Sequence, residues 1–535
     1  MKRLLSILIA LAMLCSVAAF AEEGERAFTG IGIVTTQQGE AQGVLDPEYD
    51  VTVFKGVPYA APPVGDLRWA AAQDPEGWEG VRVFDTYADA ATQPSYVAWF
   101  KSEDFKNGWG GFYKADIPAN GEDCLYLNIT TPATAPDANL PVIVWFHGGG
   151  YNHGWSFEPE FDAQQLAGKG AVVVTVGTRL NILGLLALPQ FADENGQSGN
   201  WIVSDIAKSI EWVHNNIAAF GGDPERITVA GQSGGSGKTT VARVSPLSGP
   251  YVRGTINQSS LSAFGSYGTQ EQAYEAGYAL LDYLGLPHDV SAEELRTIPL
   301  ETLRDAIDNA GFSGSFFLDG YSLTENPRDF YLREGQLNGK NMMAGLVFGE
   351  SGAYTATTAA ELYAQIREQF GDELCDKYGL ESLIEITDGN VAYYNTAIKA
   401  WYGLEATRIA GEIIKKQNPD ANFYTYTFGR IPQSTEWGWH SLDLWYMFGS
   451  LRPGDYENDW TVHDYATADA CTSYWANFAA SGNPNGYGVP EWADGTDGDF
   501  MFLDASSVCY AGTPLDPIFH EFFIQQNGLE SFFAE

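Results

Sequence analysis

The chain has few basic residues and few cysteines, and both shortages narrow the classes of protein it can represent. Lysine and arginine together number 29 against 69 acidic residues, which gives a net charge of −40 over 535 residues. A surface this negative repels nucleic acid and anionic membranes, so we expect neither as a partner. The five cysteines are widely spaced and form no C-x-x-C pair, so no thiolate metal site is predicted.

Long apolar runs are absent after the first 21 residues. Those residues have a positive start at Lys2 and Arg3, an apolar core from Leu4 to Leu14, and the ending Ala19-Phe20-Ala21. The pattern predicts a secretory signal peptide cleaved near Ala21, because its apolar core is too short to span a bilayer. We therefore expect an exported protein without a membrane-spanning segment.

Residues 22–535 contain no linker rich in proline or serine, no internal repeat and no low-complexity segment, which favours one large domain. An amphipathic helix is predicted at 202–219, and apolar runs predict strands at 142–146, 171–176, 226–230, 254–257, 342–348 and 422–428. Strand–helix–strand order of this kind implies an α/β fold with a mostly parallel sheet. Helices are expected as a cap or side wall over 270–311, through most of 358–416 and at 465–480, with a loop at 435–449.

The stretch from Phe220 to Lys238 carries the clearest chemical pattern. Residues 231–235 read Gly-Gln-Ser-Gly-Gly, which fits the G-x-S-x-G turn that exposes a nucleophilic serine between a strand and a helix. Ser233 is therefore the candidate nucleophile, although the motif alone is short enough to arise by chance. The overlapping GGSGKTT does not predict a phosphate-binding loop, because Gln232 stands where that motif needs its first glycine.

Consecutive glycines follow the predicted strand at 142–146. Their backbone N–H groups are unhindered and free to converge on an anion, as an oxyanion hole requires, although a plain flexible turn has the same composition. We expect Gly149 and Gly150 to supply two of these donors and Gly234, directly after the nucleophile, to supply a third.

A triad on this type of fold needs an acid and then a histidine after the serine. Glu350 follows a predicted buried strand between glycines, which places its carboxylate at the edge of the sheet where such sites form. Four histidines follow Ser233, at positions 288, 440, 463 and 520. We favour His440, which lies in a loop after a strand, whereas the other three read as surface or packing residues.

Several motifs agree in order and spacing with one family. The chain resembles the type-B carboxylesterases, which are α/β-hydrolases that also include the cholinesterases, from about residue 32 to residue 491. The matching stretches are GVPYAAPPVGDLRW, EDCLYLNI, PVIVWFHGGGY, FGGDP with ITVAGQSGG, FGESG, HSLDLWYMFG and WANFAASGNPN. The resemblance implies a secreted serine esterase of small-molecule carboxylic esters that needs no metal or cofactor. It also implies Ser233, Glu350 and His440 as the triad.

The resemblance further implies two structural ion pairs, Arg68 with Glu122 and Arg179 with Asp205. Three features depart from the family pattern. Residues 177–181 read Gly-Thr-Arg-Leu-Asn where the family usually has N-Y-R-L-G. Gln232 and Gly234 replace the glutamate and alanine that often flank the serine, and no cysteine lies in the mature chain before Cys124 to form the family's early disulfide. The sequence leaves open whether the four mature cysteines, at 124, 375, 471 and 509, pair with one another.

The ester itself is not specified by these motifs. The tentative substrate pocket consists of four aromatic residues, Trp155, Phe157, Trp437 and Trp439, which suggest an apolar or aromatic group. A lipase-like enzyme acting on lipid esters and a non-catalytic binding or adhesion protein, as some cholinesterase relatives are, remain the alternatives.

Overall fold

A computed structural model describes residues 29–94, 117–433, 438–452 and 460–534. The predicted signal peptide and Trp437 lie outside these residues. The sixteen strands of the described chain, β1 to β16 in order, are Ile33–Thr35, Glu40–Gln42, Val44–Asp46, Val51–Pro58, Val81–Val83, Ala90–Ala91, Asn120–Gly121, Tyr126–Thr131, Leu140–Phe146, Val172–Val176, Gly222–Gln232, Val252–Gln258, Asn341–Val347, Asn422–Phe428, Phe500–Leu503 and Val508–Tyr510.

The sixteen α-helices described, α1 to α16, surround the strands. Their bounds are Gln164–Gly168, Asn181–Leu185, Trp201–Asn216, Gly234–Val244, Gln270–Leu284, Ala292–Arg296, Leu300–Asn309, Pro327–Tyr331, Ala359–Phe370, Asp372–Tyr378, Leu380–Leu383, Val391–Gln417, Leu444–Phe448, Val462–Ser481, Asp516–Asn527 and Glu530–Phe533. None of these helices is long and apolar enough to cross a membrane.

Eleven strands form one central sheet, in the order β16-β15-β14-β13-β12-β11-β9-β10-β8-β4-β3. The seven strands from β15 to β10 in this order are parallel, and antiparallel strands flank them on both sides. Strands β9 and β10 are rich in β-branched residues, and they and β13 are buried on both faces, as strands of a parallel sheet covered by helices must be. This arrangement confirms the α/β-hydrolase fold, with a large, mostly parallel sheet flanked by helices.

Each predicted strand coincides with an observed one, although the predictions at 171–176 and 342–348 each extend one residue too far. The loop expected at 435–449 is interrupted by helix α13. All five residues of α13 are buried, so their apolar run has no amphipathic period from which a helix could be predicted. The four cysteines of the described chain are all free thiols.

Candidate active site

Ser233 lies at the sharp turn between strand β11 and helix α4. Its backbone has φ 56° and ψ −122°, a conformation that is strained for a residue with a β-carbon. The chain passes itself closely here: a β-carbon on Gly231 would overlap the carbonyl of Gly235, and one on Gly235 would overlap the carbonyl of Phe146. The two glycines are therefore required by close backbone contact.

The glycine loop after β9 packs against this turn. Gly149 and Gly150 have φ of +91° and +60°, and a β-carbon on Gly149 would overlap the carbonyl of His153. The position that a β-carbon of Gly234 would take lies 2.8 Å from the backbone nitrogen of Gly150. The three glycines predicted as oxyanion donors are therefore neighbours, beside the N-terminus of α4, where the helix dipole favours negative charge.

His440 and Glu350 lie in loops that follow two neighbouring strands, β14 and β13, and their side chains are in contact. Glu350 comes just after β13 and its side chain is 7% exposed, while the His440 ring is 41% exposed. The Nδ1 atom of His440 lies 2.7 Å from Oε2 of Glu350, and the backbone N–H of Val347 donates to Oε1 at 3.2 Å. These hydrogen bonds fix the carboxylate, which in turn orients the imidazole ring.

The electrostatic surroundings of His440 favour its protonated form. Partial burial lowers the pKa of His440, but the hydrogen bond to Glu350 and the charges of Glu350 and Asp443 outweigh it, so the pKa lies above the ordinary 6.5. Asp443 is fully buried and accepts hydrogen bonds from Gln258 at 2.9 Å and Tyr426 at 3.2 Å. Burial and the charge of Glu350 raise the pKa of Asp443 to about 6.

The other ring nitrogen of His440 faces Gln232, the residue before the serine. The side-chain Nε2 of Gln232 lies 3.2 Å from Nε2 of His440. An amide nitrogen only donates, so this contact is a hydrogen bond when the imidazole carries its proton on Nδ1, toward Glu350. That tautomer leaves Nε2 as the basic nitrogen.

Ser233 and His440 open on a common cavity of about 300 Å³. The described residues that line it are Gln93, Gly148, Gly149, Gly150, His153, Gly154, Trp155, Glu158, Glu160, Phe161, Gln232, Ser233, His440, Ser441 and Leu444. Of the aromatic residues predicted for the pocket, Trp155 lines this cavity. Phe157 is not among the lining residues and stacks on Tyr87 at 4.5 Å, and Trp439 packs in the core.

Sequence reasoning missed the polar part of the cavity. Glu158 and Glu160 are buried in its wall, and His153 also lines it, yet no motif in the sequence pointed to any of the three. Beneath the glycine loop, Nζ of the buried Lys238 lies 3.3 Å from Nε2 of His147. Burial lowers the pKa of Lys238 to about 7, and its position inside α4 removes it from any phosphate ligand.

The two predicted ion pairs are both formed. Arg68 donates to both carboxylate oxygens of Glu122, at 2.5 and 2.6 Å. Arg179 donates to Asp205 at 2.6 Å through its guanidinium, and its backbone N–H donates to the same carboxylate at 2.9 Å. Both pairs are buried and join loops to the body of the domain.

The alternative histidines lie away from the cavity lining. His288 pairs with Asp282 at 2.9 Å and stacks on Tyr278, and His520 pairs with Glu405 at 3.3 Å. His463 is exposed within helix α14. No group of three or more metal-ligating side chains is assembled in the described part of the chain.

The sheet is mostly parallel, has helices on both faces, and is followed at its central strand β11 by a strained serine. These features define an α/β-hydrolase. The family model described as "Carboxylesterase family" matches residues 31–508, and the chain belongs to that family. It is thus a carboxylic ester hydrolase.

Two curated relatives illustrate the similarity. The chain is 31% identical over 480 residues to the para-nitrobenzyl esterase of Bacillus subtilis, covering 85% of this chain and 90% of that one. It is 31% identical over 471 residues to the fumonisin B1 esterase of Sphingopyxis macrogoltabida, covering 84% and 82%. Among solved structures, a PNB esterase superposes with a TM-score of 0.70 at 27% identity, over 92% of this chain and 99% of that one.

Proposed function

We propose that the protein is a serine carboxylesterase that forms an acyl-enzyme on Ser233. One observation carries the proposal. The strained Ser233 and His440 open on the same cavity, and Nδ1 of His440 lies 2.7 Å from Oε2 of Glu350. In this proposal His440 is the base, Glu350 orients it, and the N–H groups of Gly149, Gly150 and Gly234 hold the oxyanion.

The reaction then proceeds in two halves. Nε2 of His440 takes the Ser233 proton while Oγ attacks the ester carbonyl, and the same proton passes to the departing alcohol. Water next attacks the acyl-enzyme, giving one proton to His440, which returns it to Oγ as the acid leaves. The imidazolium formed in each half is stabilised by the Glu350 carboxylate.

Substitution of the nucleophile tests this assignment. Ser233→Ala should fold normally, lose about four to six orders of magnitude in kcat, and resist labelling by a fluorophosphonate probe. Ser236→Ala is the matched control, because Ser236 lies in the same helix but its hydroxyl donates to the carbonyl of Ser260 instead. Equal labelling of wild type and Ser233→Ala would reject the proposal.

We propose small carboxylic esters as the substrates, and the name of the Bacillus relative suggests para-nitrobenzyl esters for the first assays. Hydrolysis rates across para-nitrophenyl esters of increasing acyl length provide the test. We expect short acyl chains to react fastest. A preference for long chains that increases above the solubility limit of the ester would instead identify a lipase.

We also propose export, on the basis of the charged start, apolar core and small-x-small ending of residues 1–21. The protein recovered from outside the cell should begin at Glu22. N-terminal sequencing that finds Met1 on the external protein would contradict this.

A further inference from the structure

Lys238 is buried beneath the glycine loop and has no role in the proposed ester hydrolysis. It lies in helix α4, which begins at Gly234 directly after Ser233, and it is the only lysine of the described residues whose side chain is fully buried. Burial lowers its pKa to about 7, against the opposing charges of Asp205 and Glu158. A methionine would fill similar space without the cost of burying an amine, so the amine itself requires an explanation.

The amine of Lys238 contacts the imidazole of His147, the first residue after strand β9. Nζ of Lys238 lies 3.3 Å from Nε2 of His147, whose ring is also buried. The other ring nitrogen, Nδ1, lies 2.9 Å from the carbonyl oxygen of Gly148. The ring therefore stands between helix α4 and the backbone of the glycine loop.

These two contacts define the tautomer of His147. A carbonyl oxygen only accepts, so the hydrogen bond to Gly148 requires the ring proton on Nδ1. Burial, and then the charge of Lys238, lower the pKa of His147 well below 6.5, so the ring is neutral and its Nε2 is an acceptor. Lys238 is the donor to this nitrogen and thereby favours the tautomer that donates to Gly148.

The carbonyl that His147 holds belongs to the same peptide unit as the N–H of Gly149, a proposed oxyanion donor. The peptide is planar and trans, so its C=O and N–H point in opposite directions, and fixing one fixes the other. Glycines on both sides leave this unit free to rotate unless something holds it. It also passes beside the nucleophile, because a β-carbon on Gly148 would lie 3.5 Å from Cβ of Ser233.

We propose that Lys238 is a positioning residue for the oxyanion hole, acting through His147 and the peptide between Gly148 and Gly149. The proposal rests on the proposed function, because it concerns the same site. Ser233 is the N-cap of α4 and Lys238 lies in the second turn of that helix. One rigid element thus carries the nucleophile and the group that orients the glycine loop toward it.

Lys238→Met tests the role, because it removes the donor and largely keeps the shape of the side chain. We expect kcat for a soluble para-nitrophenyl ester to fall by about ten- to a hundredfold, with KM changed by less than about twofold, since the oxyanion forms only after binding. Lys340→Met is the control, at a half-buried lysine that donates to the carbonyl of Val252 at 3.1 Å, and should keep the wild-type kcat. An unchanged kcat in Lys238→Met would overturn the proposal.

A thionoester separates positioning from a general structural defect. Replacing the carbonyl oxygen by sulfur moves the developing charge to a larger atom, which fits poorly in a hole built for oxygen. Lys238→Met should therefore slow the thionoester by a clearly smaller factor than the matching oxoester. Equal factors would identify a structural defect and overturn the proposal. Lys238→Leu serves for the same comparison, and failure of both Lys238 variants to fold would likewise assign a structural role and overturn it.

A double-mutant cycle tests whether His147 carries the effect. His147→Phe removes both ring nitrogens and should show the same oxygen-specific loss of kcat. The variant with both Lys238→Met and His147→Phe should lose no more than the larger of the two single losses, because the residues act in series. Additive losses would show that Lys238 does not act through His147 and would overturn the proposal.

Ser233→Ala, assayed in parallel, separates this proposal from the proposed function. Hydrolysis that persists in Ser233→Ala would reject the serine esterase and the positioning role with it. Hydrolysis that is lost in Ser233→Ala but unchanged in Lys238→Met would reject the positioning role alone and leave the esterase.

Discussion

Gln232 donates toward the ring nitrogen of His440 that is proposed to accept the serine proton, with 3.2 Å between the two Nε2 atoms. This hydrogen bond forms with a neutral imidazole, and the amide brings no charge to the ring. Gln232 therefore helps to keep the basic nitrogen unprotonated, but its amide has to move aside when the proton of Ser233 is transferred.

We predict that Gln232→Glu shifts the acid limb of the kcat/KM profile to higher pH by about one unit or more, because a carboxylate within 4 Å stabilises the imidazolium. The profile is measured on one soluble ester. Gln232→Met removes the amide without adding charge, so its upward shift should be clearly smaller than that of Gln232→Glu. Identical acid limbs in wild type and Gln232→Glu would show that position 232 does not influence the base.

Removal of the Glu350 carboxylate should shift the acid limb of the kcat/KM profile to lower pH. The pKa of His440 is raised by Glu350, and activity needs the neutral ring, so activity is lost as the pH falls through this value. Glu350→Gln should lower both the apparent pKa and the maximal rate. Glu412→Gln, beside His520 at 3.8 Å, is the control and should change neither. A fully active His440→Ala would show that another base is used.

Asp443 should make the stability of the protein depend on pH. Its pKa rises from 3.8 to about 6 on folding, so the folded state binds more protons in that interval and loses stability as the pH rises. Asp443→Asn remains neutral, so its free energy of unfolding relative to wild type should increase by about 2 kcal/mol between pH 4 and pH 7. Chemical denaturation at each pH measures the difference.

Asp464 provides the control of opposite sign. Burial raises its pKa, but hydrogen bonds from Arg430 and Thr461 outweigh burial and leave the pKa below the ordinary value. Asp464→Asn should therefore lose stability relative to wild type as the pH rises. Parallel curves for the two variants would contradict the assignment of these shifts.

The buried ion pair of Arg179 with Asp205 should be far more important for stability than a surface pair. Asp205→Ala leaves a guanidinium that is 3% exposed without its partner and should cost about 3–5 kcal/mol of unfolding free energy. Asp74→Ala breaks the pair with Lys208 at an 86% exposed carboxylate and should cost less than about 1 kcal/mol. Similar losses in urea denaturation would show that burial does not set the value of these pairs.

The sequence predicted the features that local pattern controls. Apolar β-branched runs marked the central strands, and the close backbone passage at Gly231 and Gly235 leaves a recognisable glycine spacing around Ser233. The chain order of nucleophile, acid and base then led to Glu350 and His440, which the structure places 2.7 Å apart.

Features created by packing between distant segments were not predictable in this way. Glu160 is buried because Phe161 packs on Trp145 and Phe448, at 5.2 and 5.7 Å, and nothing in the local sequence indicates those partners. Phe157 was expected in the substrate pocket, but Tyr87, from a distant part of the chain, stacks on it instead. Composition alone does not distinguish an aromatic residue of a binding site from one in the core.

The backbone of Ser233 has a consequence for the stability that evolution can reach in this fold. A serine at φ 56°, ψ −122° holds about 1–3 kcal/mol of conformational strain that a glycine would largely relieve. The most stable sequence and the most active sequence therefore differ at position 233. Selection for thermal resistance alone would tend to remove the proposed nucleophile, so any stabilised descendant that keeps the proposed activity must gain its resistance elsewhere in the domain.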